Sequence, residues 1–287
     1  MRHIGQQAQL LADAIAAARK VDAVVFIGGL NKGDHQDSEG ADRLQLGLPY
    51  GQDAVIGALA EANPNLAVVF VSGNAVAMPW IDRVPAVLEA WYSGSEAGNA
   101  LADVLFGAVN PSGKLPFTFP VRLEDCSAHS AGEYPGEGQV VYRDGIFVGY
   151  RWIEKERIEP LFAFGHGLSY TTFDIANVRA DRTSLATTGR LRVSADVTNT
   201  GGRAGAEVVQ LYIGDKLSSQ PRPVKELKGL KRYTSRPARA EPSRSKSTPG
   251  CSPVTTMRKG SGALNPVNSP LMSAPRRTTS AEPSISC

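Results

Sequence analysis

Cysteine is scarce in this chain of 287 residues, with three in all. Cys251 and Cys287 lie near the C-terminus and Cys126 stands alone, so neither a disulfide framework nor a cysteine metal spacing can be built. Long apolar runs are also missing. None reaches the roughly 18 residues of a membrane-spanning helix, so no membrane partner is expected. The opening Met1-Arg2-His3-Ile4-Gly5-Gln6-Gln7 lacks the apolar core of a signal peptide and runs almost at once into a helix pattern, as if inside a domain. Compartment stays open. A basic binding face is missing too. Residues 1–234 carry 23 Lys+Arg against 26 Asp+Glu, whereas residues 235–287 carry eight against two. The excess of positive charge belongs to the tail, which removes the case for a nucleic-acid partner.

What is present is an alternation of helix and strand patterns. Leu10, Leu11, Ala14, Ile15 and Ala18 recur at three- and four-residue steps, an amphipathic helix. Ala23–Ile27 is a continuous apolar run closed by Gly28-Gly29, as expected of a strand buried on both faces. A polar loop fills 30–50, and a helix fits Gln52–Glu61. Strands follow at Ala67–Val71 and Ala86–Trp91, then a helix at Ala97–Phe106 ended by Gly107. This order predicts an α/β domain with a largely parallel sheet. Residues 108–172 are rich in Gly, Pro and aromatics without a clear period and read as a long packed connection. From Leu191 the pattern switches to strict alternation, and strands around Asn199-Thr200-Gly201 predict a second, all-β sandwich-like domain.

Ligands of α/β sheets sit beyond the carboxyl ends of the strands, which singles out the loop after Ala23–Ile27. It gathers Asp34, His35, Asp37, Glu39, Asp42 and Arg43. One carboxyl crowded by others in a cleft can be raised in pKa, as a general acid requires; the plain alternative is a solvated acidic loop. Gly28, Gly29 and Gly33 do not form a dinucleotide fingerprint, and the carboxylates would repel phosphate. His35, Asp34 and Asp37 lack a second ligand cluster, so no metal is expected. Val71-Ser72-Gly73-Asn74 follows a strand but is not a serine-nucleophile elbow.

Several motifs, in order, carry a resemblance. Ser38-Glu39-Gly40-Ala41-Asp42-Arg43-Leu44, then Leu48-Pro49 and Gln52, resembles the acid/base loop of family 3 glycoside hydrolases, the β-glucosidase type. Leu88-Glu89-Ala90-Trp91-Tyr92 and the stretch from Gly94 to Gly107 resemble the same family, Asn110–Pro120 is similar to its exit from the second domain, and Phe162–Phe173 to its bridge to a third domain. Asn199-Thr200-Gly201, Glu207–Tyr212 and Pro223–Arg232 resemble its fibronectin-III-like domain. The likeness runs from about Ala12 to Tyr233.

The resemblance implies a partial α/β sandwich over 1–120, a connection over 121–173 and an incomplete fibronectin-III-like sandwich over 174–233. It implies a retaining exo-acting β-glycosidase acting on a β-glycoside substrate, with no cofactor. Glu39 falls on the family's acid/base glutamate, and Asp37, Asp42 and Arg43 on the supporting loop. Substrate-binding residues are left unassigned. The family's nucleophilic aspartate belongs to an N-terminal barrel domain, of which this chain carries no trace, so the chain alone is expected to be inactive. The alternative reading is a non-catalytic carbohydrate-binding or assembly module; a barrel-encoding frame upstream would decide for the enzyme.

Residues 234–287 break the pattern. From residue 235 onward the chain holds 11 Ser, eight Pro and no aromatic residue, a composition expected to be disordered. A shifted frame explains it. If each codon takes the last base of one triplet and the first two of the next, Pro242–Ser252 permits T-V-T-V-E-V-D-A-R-M-F. Ser261–Ser269 likewise permits Q-W-G-A-E-P-G-E-F. These strings alternate apolar and polar residues and carry a Pro-Gly turn, as closing strands do. Resequencing around codon 234 is expected to reveal a one-base deletion whose repair restores strand patterning. An intact codon there, or an early stop in the shifted frame, would contradict it.

Overall fold

The computed structural model describes residues 2–134, 136, 138–184, 190–236, 255–256 and 265–266. The expectations for the rest of the tail lie outside the described residues. The helices are α1 (Arg2–Ala18), α2 (Gln52–Ala62), α3 (Ala97–Leu105), α4 (Ser127–Ser130) and α5 (Tyr150–Glu156). The strands are β1 (Val24–Gly29), β2 (Leu66–Val71), β3 (Ala86–Glu89), β4 (Phe173–Ala180), β5 (Arg192–Asn199), β6 (Gly205–Gly214), β7 (Glu226–Ser235), β8 (Thr255–Thr256) and β9 (Asn265–Pro266). Two compact units result. One runs to Ala102 and includes Phe119–Leu123; the other comprises Asp103–Thr118 and the described residues from Glu124 onward.

The first unit holds a parallel sheet in the order β1-β2-β3, with Val24 opposite Leu66 and Ala67 opposite Ala86. The central strand is apolar throughout, and Leu66, Val68, Val69 and Phe70 are fully buried. Helix α2 packs on β1 and β2, and α1 on α2. The Asn63 amide fixes the end of α1, donating to Ala18 O at 2.9 Å and Val21 O at 2.8 Å. β1 corrects the expectation of a strand buried on both faces. It alternates, leaving Val25 49% and Ile27 59% exposed. An apolar run cannot distinguish a central strand from an edge strand, and among the described residues β1 pairs on one side only. β3 stops at Glu89, two residues early, because Trp91 takes a left-handed backbone at φ 52°.

The end of β1 is fixed tightly. The Gln52 side chain accepts from Gly29 N at 2.8 Å and donates to Gly29 O at 2.9 Å, tying the start of α2 to the strand end. Gly29 sits at φ 134°, and a Cβ there would lie 2.2 Å from Val71 O. Only glycine meets both conditions.

The second unit contains the sheets β4-β5-β8 and β7-β6-β9. β4 pairs antiparallel with β5, with a bulge between Ala176 and Arg179, and β6 pairs antiparallel with β7. Asn199, 1% exposed, closes the turn between β5 and β6. It accepts from Thr171 Oγ1 at 2.7 Å and Gly201 N at 3.1 Å and donates to Arg203 O at 2.7 Å. The connection read as aperiodic contains α4 and α5, too short for a period to be visible. The His166 ring stacks on Phe162 at 5.1 Å, and its main chain holds the connection through Leu115 N to His166 O at 2.8 Å. Burial, then the charge of Lys114, holds the His166 pKa below the ordinary value.

Thermal melting tests the strand-end constraint. Gly29→Ala is expected to lower the midpoint sharply. Gly98→Ala, in α3 with open space around its Cβ, should stabilise by about 0.5–1 kcal/mol. Equal midpoints for wild type and Gly29→Ala would contradict the close approach of β1 and β2.

Candidate active site at the carboxyl end of the parallel sheet

Three segments meet beyond the carboxyl ends of β1, β2 and β3: the loop 30–50, the turn Ser72-Gly73-Asn74, and Ala90-Trp91-Tyr92. Their meeting point is Asp37. Its carboxylate accepts from Gly73 N at 2.6 Å, Asn74 Nδ2 at 3.0 Å and Tyr92 OH at 2.8 Å. Partial burial pushes the Asp37 pKa up. The hydrogen bonds from Asn74, Gly73 and Tyr92, with the charge of Arg43, outweigh that and hold it below the usual aspartate value. Tyr92 is pushed the other way, to about 12, by burial and then by the Asp37 carboxylate it donates to. Lys32 Nζ lies 5.1 Å above the Tyr92 ring.

Arg43 fixes the far limb of the loop. It donates to Ala75 O at 2.6 Å, Leu46 O at 2.8 Å and Gly47 O at 3.4 Å. Burial lowers its pKa while the charge of Asp37 raises it. Its hydrogen bonds thus go to carbonyls, which makes it a clamp on the loop backbone. The Asp53 carboxylate finishes the loop, accepting from Leu48 N at 3.1 Å and from the buried Trp80 Nε1 at 2.8 Å. Asp42 contributes its carbonyl, which accepts from His35 Nδ1 at 2.9 Å, and His35 adopts φ 61° to reach it.

Glu39 lies between these clamps, two residues beyond Asp37 and four before Arg43. Its side chain is exposed. Asp37 thus anchors the near limb of the loop and Arg43 the far limb, with the exposed Glu39 between them in the chain. An open cavity of about 400 Å³ lies beside the loop, lined by Asp34, His35, Gln36, Arg43, Leu44 and Tyr50 among others. A second, of about 290 Å³, is lined by Val71, Trp91, Tyr92 and Leu101 among others. Among the described residues, no group of three or more His, Cys, Asp or Glu is placed to hold a metal ion, and no helix is long and apolar enough to cross a membrane.

Glu89 is the carboxyl group at this sheet edge that the loop-centred reading missed. It ends β3, accepting from Trp91 N at 3.0 Å on one oxygen and contacting Ser72 Oγ at 3.1 Å with the other. Burial raises its pKa to about 7; hydrogen bonds from Trp91 and Ser72 oppose the rise and the charge of Asp37 adds to it. The strand-end rule that pointed to the first loop points equally to Ser72–Asn74 and Glu89–Tyr92. That was the available signal.

Comparison with known proteins matches this architecture. A sequence profile described as "Glycosyl hydrolase family 3 C-terminal domain" covers residues 1–170. Beta-glucosidase BoGH3A of Bacteroides ovatus is 51% identical over 223 residues, spanning 77% of this chain and 30% of that protein. Thermostable beta-glucosidase B of Acetivibrio thermocellus is 46% identical over 229 residues, 79% of this chain and 30% of that protein. The crystal structure of the beta-glucosidase from Kluyveromyces marxianus in complex with glucose superposes with a TM-score of 0.74 at 39% identity, over 81% of this chain and 27% of that one. The chain thus spans about 30% of the length of its curated relatives. A profile matching more than half of the chain, agreeing in fold with solved relatives, establishes that the chain belongs to glycosyl hydrolase family 3, with residues 1–170 in its C-terminal domain.

Proposed function

We propose that this chain supplies the acid/base side of a retaining, exo-acting β-glycosidase of the β-glucosidase type, with Glu39 as the proton donor and acceptor. One observation carries the reading. An exposed glutamate stands on a loop whose two limbs are clamped by Asp37 and Arg43 at the carboxyl ends of a parallel sheet. A general acid must reach a substrate oxygen while its backbone stays fixed, and this arrangement meets both needs. Family membership and relatives named as beta-glucosidases support the choice of reaction and of a β-glycoside substrate.

In this reading Glu39 protonates the glycosidic oxygen as the sugar leaves, then takes a proton from the water that releases the sugar. The nucleophile, a second carboxylate about 5–5.5 Å away, comes from an N-terminal barrel in the part of the relatives that this chain does not span. Asp37 and Arg43 act through the loop backbone, and Asp42 through its carbonyl. The β-rich unit is read as fibronectin-III-like.

Leaving-group dependence tests the assignment. In a longer protein carrying this chain with its barrel, Glu39→Gln should lower kcat/KM by about 10²–10⁴-fold for poorly activated glucosides. The loss should be mild for activated aryl glucosides, which leave without protonation. Equal loss for both classes would make Glu39 structural. The 287-residue chain alone is expected to leave aryl β-glucosides intact, and clear turnover by it would overturn the division of roles.

A further inference from the structure

Beyond Glu39, the contacts around Ser72 do not balance if every carboxyl of the site is ionised. Ser72 is fully buried, and its hydroxyl faces two acceptors, Asn74 O at 2.9 Å and Glu89 Oε2 at 3.1 Å. A hydroxyl has one proton to donate. Ser72 N–H also donates to Glu89, but with Glu89 ionised the single hydroxyl proton serves one of these two part-buried contacts and leaves the other as two oxygens with no proton between them. A proton on Glu89 Oε2 resolves both. Glu89 then donates to Ser72 Oγ, and Ser72 donates to Asn74 O. Glu89 Oε1, the carbonyl oxygen of the acid, still accepts from Trp91 N at 3.0 Å.

We propose that Glu89 carries a proton in the folded domain and, through Ser72, positions the Gly73–Asn74 turn that holds Asp37. The chain of contacts is continuous: Ser72 fixes the carbonyl of Asn74, whose side chain and the neighbouring Gly73 N–H both donate to Asp37. Glu89 is therefore a positioning residue rather than a catalytic one. That the Asp37 loop positions an acid/base group rests on the reading given under Proposed function; the proton on Glu89 does not.

The surrounding groups agree. Ser72 approaches from the end of β2, Trp91 and Tyr92 from the segment after β3, and Asp37 and Arg43 from the loop after β1. Burial is the first cause of the raised Glu89 pKa, and Asp37, the facing carboxylate, raises it further. Tyr92 stays neutral up to about 12, and Arg43 acts on Asp37 and Tyr92. Below the ordinary glutamate value of about 4.3 the folded and unfolded chains both hold the proton. Between there and about 7 the folded chain alone holds it. The contribution of Glu89 to stability is therefore complete at low pH and is lost as pH rises through about 7.

The test is a carboxyl titration of the full chain labelled with ¹³C-glutamate, the Glu89 signal being assigned through the labelled backbone. The midpoint for Glu89 is expected near 7, with the Gly73 and Asn74 amide signals moving at the same midpoint. In Glu89→Gln, whose amide also donates to Ser72, those amide signals should stay at their low-pH positions. A Glu89 midpoint in the ordinary range of about 4–5 would overturn the proton. A midpoint near 7 with stationary Gly73 and Asn74 amides would overturn the positioning role. If Glu89→Gln fails to fold, the wild-type titration decides both points alone. Neither readout depends on the activity of Glu39, so failure of the acid/base assignment is seen separately.

Discussion

The Asp37 carboxylate is the interaction on which the candidate site depends. Its donors, Gly73 N, Asn74 Nδ2 and Tyr92 OH, come from the segments following two other strands. A loop of some twenty residues without regular structure is expensive to order and usually serves a site. Here one ionised group holds its base while Arg43 and Asp53 hold its far limb. Glu39 thus stands between two anchored limbs with an exposed side chain, the combination a proton-transferring group needs. Removing the charge of Asp37 would release three donors at once, and with them the register of the loop on the sheet.

Two carboxyl groups meet in this small space in opposite environments. Asp37 is surrounded by donors and a guanidinium and is held below the ordinary aspartate range; Glu89, more deeply buried, is pushed up to about 7. Each supports the other's state, because an ionised Asp37 makes ionisation of Glu89 harder, and a neutral Glu89 leaves Asp37 without a like-charged neighbour. Divergent environments for neighbouring carboxyls are how one site keeps one group charged and another protonated. The parallel sheet makes this possible by bringing three strand ends to one edge, with Gly29 and Gln52 fixing the first of them.

The layout of the first unit was legible in the sequence because helix and strand periods differ. Alternating apolar runs and amphipathic stretches located β1, α2, β2 and α3 to within a few residues. Burial of β1 was not legible: Val25 and Ile27 read as core, and a run of apolar residues carries no information about how many neighbours the strand has. The early end of β3 was hidden for a related reason. Trp91 favours strands, and only tertiary packing explains its left-handed backbone. In the site, the loop and its clustered charges stood out by composition. The Ser72–Asn74 turn and Tyr92 lay in stretches the sequence marked, but nothing in it linked them to Asp37 until the strand ends brought them together. Arg43 reads as part of the supporting loop, but which carbonyls it would clamp depends on the fold and could not be read from its sequence position.

The central claim, that Glu39 transfers the proton in a retaining reaction, is tested most directly by the product formed when that group is removed. A longer protein carrying this chain and its barrel, with Glu39→Gly, should be supplied with an activated aryl β-glucoside and azide. Azide needs no general base and can enter the space vacated by the side chain. The account predicts accelerated turnover and a glycosyl azide of β configuration, identified by NMR. Absence of any glycosyl azide, with activity unchanged by azide, would contradict it.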